Sequence, residues 1–321
     1  MKTFTKMMIA AAAFTAAAAA MAKFFCDYAL GSGKNSFNVK CGFRKTDGGL
    51  SDEQQALADS MEERGRNFRE WFSANAEDVN LLTNDGVKVH ALLLKADEPS
   101  RKYAVLCHGY KDCAEEMGYQ AYNFRKLGYN VLAVDGRASG STQGKYIGMG
   151  WLERKDICGY VNFITARDAQ AEILLYGISM GAAEVMMAAG EKLPANVKVI
   201  VEDCGYTSVW DEFKLQLTDI FHIPSFPVLN IVSLYCKLVH GFGFREASAV
   251  KALQKSNIPI LMIHGTEDRF VPFTMLDELY NAAAGDKEKL AVEGAGHIQS
   301  SAVAPELYWG KIREFSEKYI R

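Results

Sequence analysis

Ser179 stands between two glycines in Gly177-Ile178-Ser179-Met180-Gly181, and the apolar run that begins at Glu172 leads directly into it. An apolar run, a Gly-flanked serine and then Ala182, Ala183, Glu184 and Val185 predict a strand, a tight turn and a helix. Glycine on either side allows a sharp bend that lifts the serine Oγ clear of the sheet edge. The helix that follows aims its N-terminal amides at the same point, where negative charge would develop on an attacked carbonyl oxygen. The chemistry implied is nucleophilic attack by a serine, which requires a base and a carboxylate to orient that base.

Six histidines could supply the base: 90, 108, 222, 240, 264 and 297. His90 falls in a hairpin strand, and His222 and His240 fall in a long irregular segment. His108 and His264 each follow an apolar run and precede glycine, which suits the closing of a strand-to-turn junction. His297 follows the apolar run Lys289–Glu293 through Gly294-Ala295-Gly296, a flexible loop past a strand end. The orienting acid is then expected at the end of Ile260–Gly265, where Asp268 is the first choice and Glu267 the fallback. The oxyanion requires two backbone amides. Met180, directly after the serine, is expected to give one, and Tyr110 in His108-Gly109-Tyr110 the other. Trp151, Tyr206, Trp210 and Phe270 fall near strand ends or in the long segment and are candidate substrate-wall residues.

These residues need a scaffold. Val79–Thr83 and Val87–Leu94, joined by Asn84-Asp85-Gly86, read as an antiparallel hairpin. Apolar runs then alternate with helical patterns. The strands expected are Tyr103–Cys107, Asn130–Val134, Glu172–Tyr176, Val197–Val201, Ile258–Ile263 and Lys289–Glu293. The helices expected between them are Ala114–Leu127, Trp151–Ala166, Met180–Glu191, Phe273–Ala284 and Pro305–Tyr319, after an earlier one from Ser51 to Phe72. Such alternation implies a mostly parallel sheet covered on both faces, with ligands beyond the carboxyl ends of its strands. Gly205–Asn257 breaks the rhythm and is read as a lid inserted over the strand ends.

With the serine turn, His108-Gly109, Asp268 and Gly296-His297 assembled, the sequence resembles the α/β-hydrolase superfamily from about Phe24 onward. It looks most like exported or membrane-anchored bacterial serine hydrolases related to serine aminopeptidases and prolyl oligopeptidases. Tyr146–Trp151, Glu202–Trp210 and Val292–His297 carry that likeness. The resemblance implies the α/β-hydrolase fold with a small helical lid, a Ser179–Asp268–His297 triad, and the Tyr110 and Met180 amides around the oxyanion. It implies no cofactor. One turn departs from the pattern: where relatives carry Arg-Gly-His-Gly, this chain has Arg137-Ala138-Ser139-Gly140.

The expected activity is hydrolysis of carboxylic esters or related acyl compounds through an acyl-enzyme. A peptidase or amidase is the main alternative, with Glu202 or Asp203 as acids that would grip a free amine if exposed. Acyl transfer and a catalytically silent binding protein are further alternatives. A net charge of −3 without basic runs argues against nucleic-acid partners. Seven cysteines without C-x-x-C spacing argue against a zinc cluster, and a Cys26–Cys41 bridge is the pairing weighed for an exported chain. Lys2 and Lys6 precede the uncharged stretch Met7–Ala22, which reads as a signal peptide or an uncleaved signal anchor. The expected domains are therefore residues 1–22 as leader or anchor, 23–72 as a helical lead-in and 73–321 as the hydrolase domain with its insertion at 205–257. The protein is expected outside the cytoplasm, secreted or membrane-anchored.

Overall fold

The computed structural model describes residues 2–32 and 51–321; Cys41, and with it the weighed bridge to Cys26, lies outside them. Among the described residues, eight strands form one sheet: β1 (Glu77–Leu82), β2 (Lys88–Leu94), β3 (Lys102–Cys107), β4 (Asn130–Val134), β5 (Glu172–Ile178), β6 (Val197–Asp203), β7 (Ile260–Gly265) and β8 (Lys287–Val292). Their spatial order is β1-β2-β4-β3-β5-β6-β7-β8. The hairpin β1–β2 is antiparallel and joins β4 antiparallel, while every pairing from β4 to β8 is parallel. The expected hairpin turn is present, with Gly86 at φ +82° and Thr83 N–H donating to the Val87 carbonyl at 2.9 Å.

Helices cover both faces. They are α1 (Lys2–Leu30), α2 (Asp52–Asn75), α3 (Gly118–Lys126), α4 (Glu153–Arg167), α5 (Met180–Ala188), α6 (Val209–Phe221), α7 (Ser225–His240), α8 (Ala249–Leu253), α9 (Thr274–Ala282), α10 (Ser300–Val303) and α11 (Pro305–Ser316). The predicted helix Ala114–Leu127 divides into a 3-10 turn, Ala114–Met117, followed by α3. Ser51 caps α2 as expected: its hydroxyl accepts from Gln54 N–H at 3.2 Å and its own N–H donates back to Gln54 Oε1 at 3.1 Å.

Alternate strand residues divide the core into two layers, as the period of two in a strand requires. Val105, Cys107, Leu132, Leu175, Ile200 and Met262 pack on one side with residues of α1, α4 to α7 and α9. Leu106, Val131, Ala133, Tyr176, Val201 and Ile263 pack on the other with Phe72 of α2, Phe124 of α3 and Tyr308, Ile312 and Phe315 of α11. Three helices, α6 to α8, lie between β6 and β7, in the segment that broke the sequence rhythm.

His90 of β2 is buried between two acids, with Nδ1 2.7 Å from Asp135 Oδ2 and Nε2 2.8 Å from Asp78 Oδ1. Burial pushes its pKa down, but the two carboxylates outweigh burial and the net shift is upward. Proton binding is therefore tighter in the folded chain. The stabilisation is complete below the unfolded value of about 6.5 and is lost as pH rises through the elevated native value. Urea midpoints measured upward from pH 6 are expected to fall over that window, and His90→Gln is expected to flatten the dependence.

Candidate active site

The turn between β5 and α5 has the strained form that the sequence implied. Ser179 adopts φ 55° and ψ −114°, a conformation that costs on the order of 1–3 kcal/mol for a residue with a side chain. Neighbouring bonds hold it there: Ser179 N–H donates to the Asp203 carbonyl at 2.8 Å, and the Ser179 carbonyl accepts from Ala183 N–H at 3.1 Å. The flanking glycines are sterically required. A Cβ on Gly177 would lie 2.1 Å from the Gly181 carbonyl oxygen, and one on Gly181 would lie 2.1 Å from the Cys107 carbonyl oxygen. Because both obstacles are backbone, Gly181→Ala is expected to destabilise the fold by about 1–3 kcal/mol, read as a lower denaturation midpoint.

Ser179, Asp268 and His297, from three separate loops, meet in one hydrogen-bonded line. Ser179 Oγ lies 2.8 Å from His297 Nε2, and His297 Nδ1 lies 2.7 Å from Asp268 Oδ2. All three are buried. Asp268 is over-determined: its Oδ1 accepts from Phe270 N–H and Val271 N–H, each at 2.9 Å, and its Oδ2 is also 3.3 Å from His264 Nε2. Burial alone would raise the Asp268 carboxyl, but the hydrogen bonds and charges of His264 and His297 hold it at about 2. A hydroxyl, an imidazole and a carboxylate in this order can abstract and return a proton at the serine oxygen. Glu267, the fallback acid, is exposed beside Arg269.

The loop after β3 passes directly against the serine, since a Cβ on Gly109 would lie 4.0 Å from Ser179 Cβ. His108 fixes this loop. Its Nε2 accepts from Gly136 N–H at 2.9 Å, so its proton resides on Nδ1, which donates to the Gly109 carbonyl at 2.6 Å. Burial lowers its pKa and keeps the ring neutral, the form this pair of bonds needs. Met180 opens α5 directly after Ser179, and Tyr110 follows Gly109 in the loop that passes against the serine.

An apolar cavity with about 870 Å³ of open space, its mouth included, opens onto Ser179. Tyr206 and Phe270 line it, and the Phe270 ring centroid lies 4.9 Å from that of His297. Trp151 and Trp210 do not line it, which corrects the sequence reading. Each is engaged elsewhere by an arginine: Arg154 stacks on Trp151 and Arg245 on Trp210, both at 3.4 Å from the ring centroid. Arg154 is itself held by Glu191 at 2.7 Å, and Val209 N–H, beside Trp210, is tied to the Ala247 carbonyl at 2.9 Å. Sequence reasoning missed the wall from α6 (Glu212, Phe213, Gln216 and Leu217) and the wall from α1 (Phe25, Tyr28 and Ala29). Ala22, Cys26 and Leu30, buried at intervals of four, were a legible sign that the helix packs beyond the supposed leader.

Glu202 and Asp203, the acids considered for binding an amine, are fully buried. Glu202 accepts from Gly205 N–H at 2.9 Å and Asp203 from the Tyr308 hydroxyl at 2.9 Å, and burial pushes their carboxyls up to about 7 and about 6. Arg137, in the turn that departs from the family pattern, pairs with Asp85 at 2.6 Å and Asp156 at 2.7 Å and ties the hairpin to α4. Among the described residues, one trio of metal-capable groups was found, with the ligand atoms of Cys204, Asp268 and His297 within 4.8 Å of one another. Burial raises the Cys204 pKa far above its usual value and keeps it a thiol, a poor metal ligand, while Asp268 and His297 already bond each other.

This sheet order and its serine turn define the α/β-hydrolase fold. Residues 98–217 match the family model described as serine aminopeptidase, S33. Among individual proteins, the chain is similar to the uncharacterized protein YqkD of Bacillus subtilis, at 27% identity over 66% of this chain and 70% of that protein. An uncharacterized membrane protein of Saccharomyces cerevisiae is 23% identical over 74% of this chain and 78% of its own length. An esterase of Pyrococcus furiosus shares the fold at a TM-score of 0.62 and 22% identity, covering 77% of this chain and 92% of the esterase.

Proposed function

We propose that the protein is a serine hydrolase that cleaves carboxylic esters through an acyl-enzyme on Ser179. The observation that carries this reading is the line Ser179 Oγ–His297–Asp268, at 2.8 and 2.7 Å, opening onto an apolar cavity. His297 Nε2 takes the hydroxyl proton as Oγ attacks the acyl carbonyl, and Asp268 stabilises the imidazolium that results. The Met180 and Tyr110 amides meet the oxyanion. His297 then protonates the departing alkoxide, and a water activated in the same way releases the acid. The helices α6 to α8 form the lid that shapes the acyl site, and α1 anchors the domain outside the cytoplasm, in keeping with Lys2 and Lys6 at the start of an otherwise apolar helix.

Amide cleavage at a substrate bearing a free amine is the second reading. Glu212 favours it as the carboxylate that borders the cavity, where Gln216 Nε2 donates to its Oε1 at 2.8 Å. A fluorophosphonate probe is expected to label the wild-type chain and not Ser179→Ala. A panel of acyl esters and amino-acid arylamides is expected to favour the esters. Equal labelling of the two proteins would refute the assignment of Ser179.

A further inference from the structure

The cavity is completed by a helix that the sequence presents as a leader. Phe25, Tyr28 and Ala29 of α1 border the same space as Ser179. The buried stripe Ala22, Cys26 and Leu30 seats α1 on the domain, with Cys26 Sγ–H donating to the Val232 carbonyl of α7 at 3.8 Å. Phe25 and Tyr28 meet Phe221 of α6 edge-on, with centroids 5.3 and 5.2 Å apart. The Tyr110 hydroxyl donates to the Ala29 carbonyl at 2.5 Å, and Gly31 pairs with Tyr146. Continuous helix crosses the Ala22–Lys23 junction where a signal peptide would end.

The other half of α1 has no such packing. Phe4 to Ala17 are exposed throughout, Phe14 at 73%, in a helix long and apolar enough to cross a membrane. The 18 residues from Phe4 to Met21 rise roughly 27 Å, close to the hydrocarbon thickness of a bilayer. Beside the point where α1 leaves the domain, α7 shows a second exposed apolar face. Lys23 and Asp27 lie within electrostatic reach of His240 at the end of α7, and Leu234, Leu238 and Val239 on its last turns are exposed at 62%, 77% and 53%. The cavity walls from α6 and α7 are mostly apolar, Phe213, Leu217, Val228 and Leu229 among them, with Glu212 and Gln216 bonded to each other, and they offer much to bury an acyl chain.

We infer that α1 is a permanent wall of the acyl pocket, and that the substrate is a long-chain acyl ester drawn from the bilayer on which the C-terminal turns of α7 rest. This rests on the Ser179 reading above. Water adds to the acyl carbonyl, the acyl–oxygen bond breaks, and a fatty acid and the lipid's alcohol leave.

The test uses the full-length chain in vesicles of an ether-linked phosphocholine lipid. It compares p-nitrophenyl palmitate dissolved in the vesicles with water-soluble p-nitrophenyl butyrate. Ala29→Trp, which fills the α1 wall, is expected to lower the palmitate-to-butyrate ratio by about tenfold or more, and Ala29→Leu to give a smaller fall if the larger residue prevents folding. The double change Leu234→Glu and Leu238→Glu, outside the cavity, is expected to leave butyrate turnover unchanged and to cut palmitate turnover by about tenfold. If wild type cleaves butyrate but gains nothing from the longer chain, or if the ratio resists both sets of variants, the inference is overturned while Ser179 keeps its role. If wild type cleaves neither ester and takes no fluorophosphonate label, the Ser179 reading falls and this inference with it.

Discussion

Ser179→Ala is expected to lower kcat on short acyl esters by more than about a thousandfold while leaving the fold intact. The serine's backbone, more than its side chain, fits the surrounding structure: its N–H joins the sheet at Asp203 and its carbonyl joins α5 at Ala183. Alanine keeps both bonds and removes only Oγ, the atom 2.8 Å from His297 Nε2. Residual turnover would come from the amides at the head of α5 and from binding alone. Loss of activity with an unchanged melting curve is the expected pair of results. A matching loss of helical circular dichroism would mean that the change had damaged the fold instead.

Asp268→Asn is expected to lower kcat by about a thousandfold or more at neutral pH, by a different route. Asn Oδ1 can keep the Phe270 and Val271 amide bonds, so the loop geometry survives. Its amide group, however, would present N–H donors to His297 Nδ1, where the carboxylate presents a lone pair. The ring would then place its remaining proton on Nε2, facing Ser179, and could not accept another. His264 makes the substitution more disruptive, because its Nε2 also faces Asp268 Oδ2 at 3.3 Å. Replacement removes the negative charge that two rings share. The pH–rate profile separates the causes: a wrong tautomer depresses the whole profile, whereas simple displacement of His297 would be accompanied by a lower unfolding midpoint.

Much of this architecture was legible in the sequence because its signals are local. Apolar runs bounded by glycine located the strands within about two residues; Asn130–Val134 coincides with β4, and Glu172–Tyr176 falls short of β5 only because the last two residues belong to the serine turn. The spacing of Ser179, Asp268 and His297 along the alternating pattern forecast their convergence, since parallel strands deliver successive loops to one edge. Side-chain direction was less legible. Trp210 lies on α6 one turn before Phe213, yet it faces Arg245 instead of the cavity, and no local signal distinguishes the two. The α1 wall was hidden for another reason. Lysine followed by an alanine-rich run has an ordinary meaning as a leader, and that meaning drew attention from Phe25 and Tyr28 just beyond it.

Tyr110 joins the loop beside the nucleophile to the end of α1. Its backbone follows Gly109 in the loop against Ser179, and its hydroxyl holds the last turn of α1. A tilt or displacement of α1 reaches this loop through that bond. The helix is thus a lever on the loop beside the nucleophile, and the set of the lever depends on whatever surrounds the exposed half of α1.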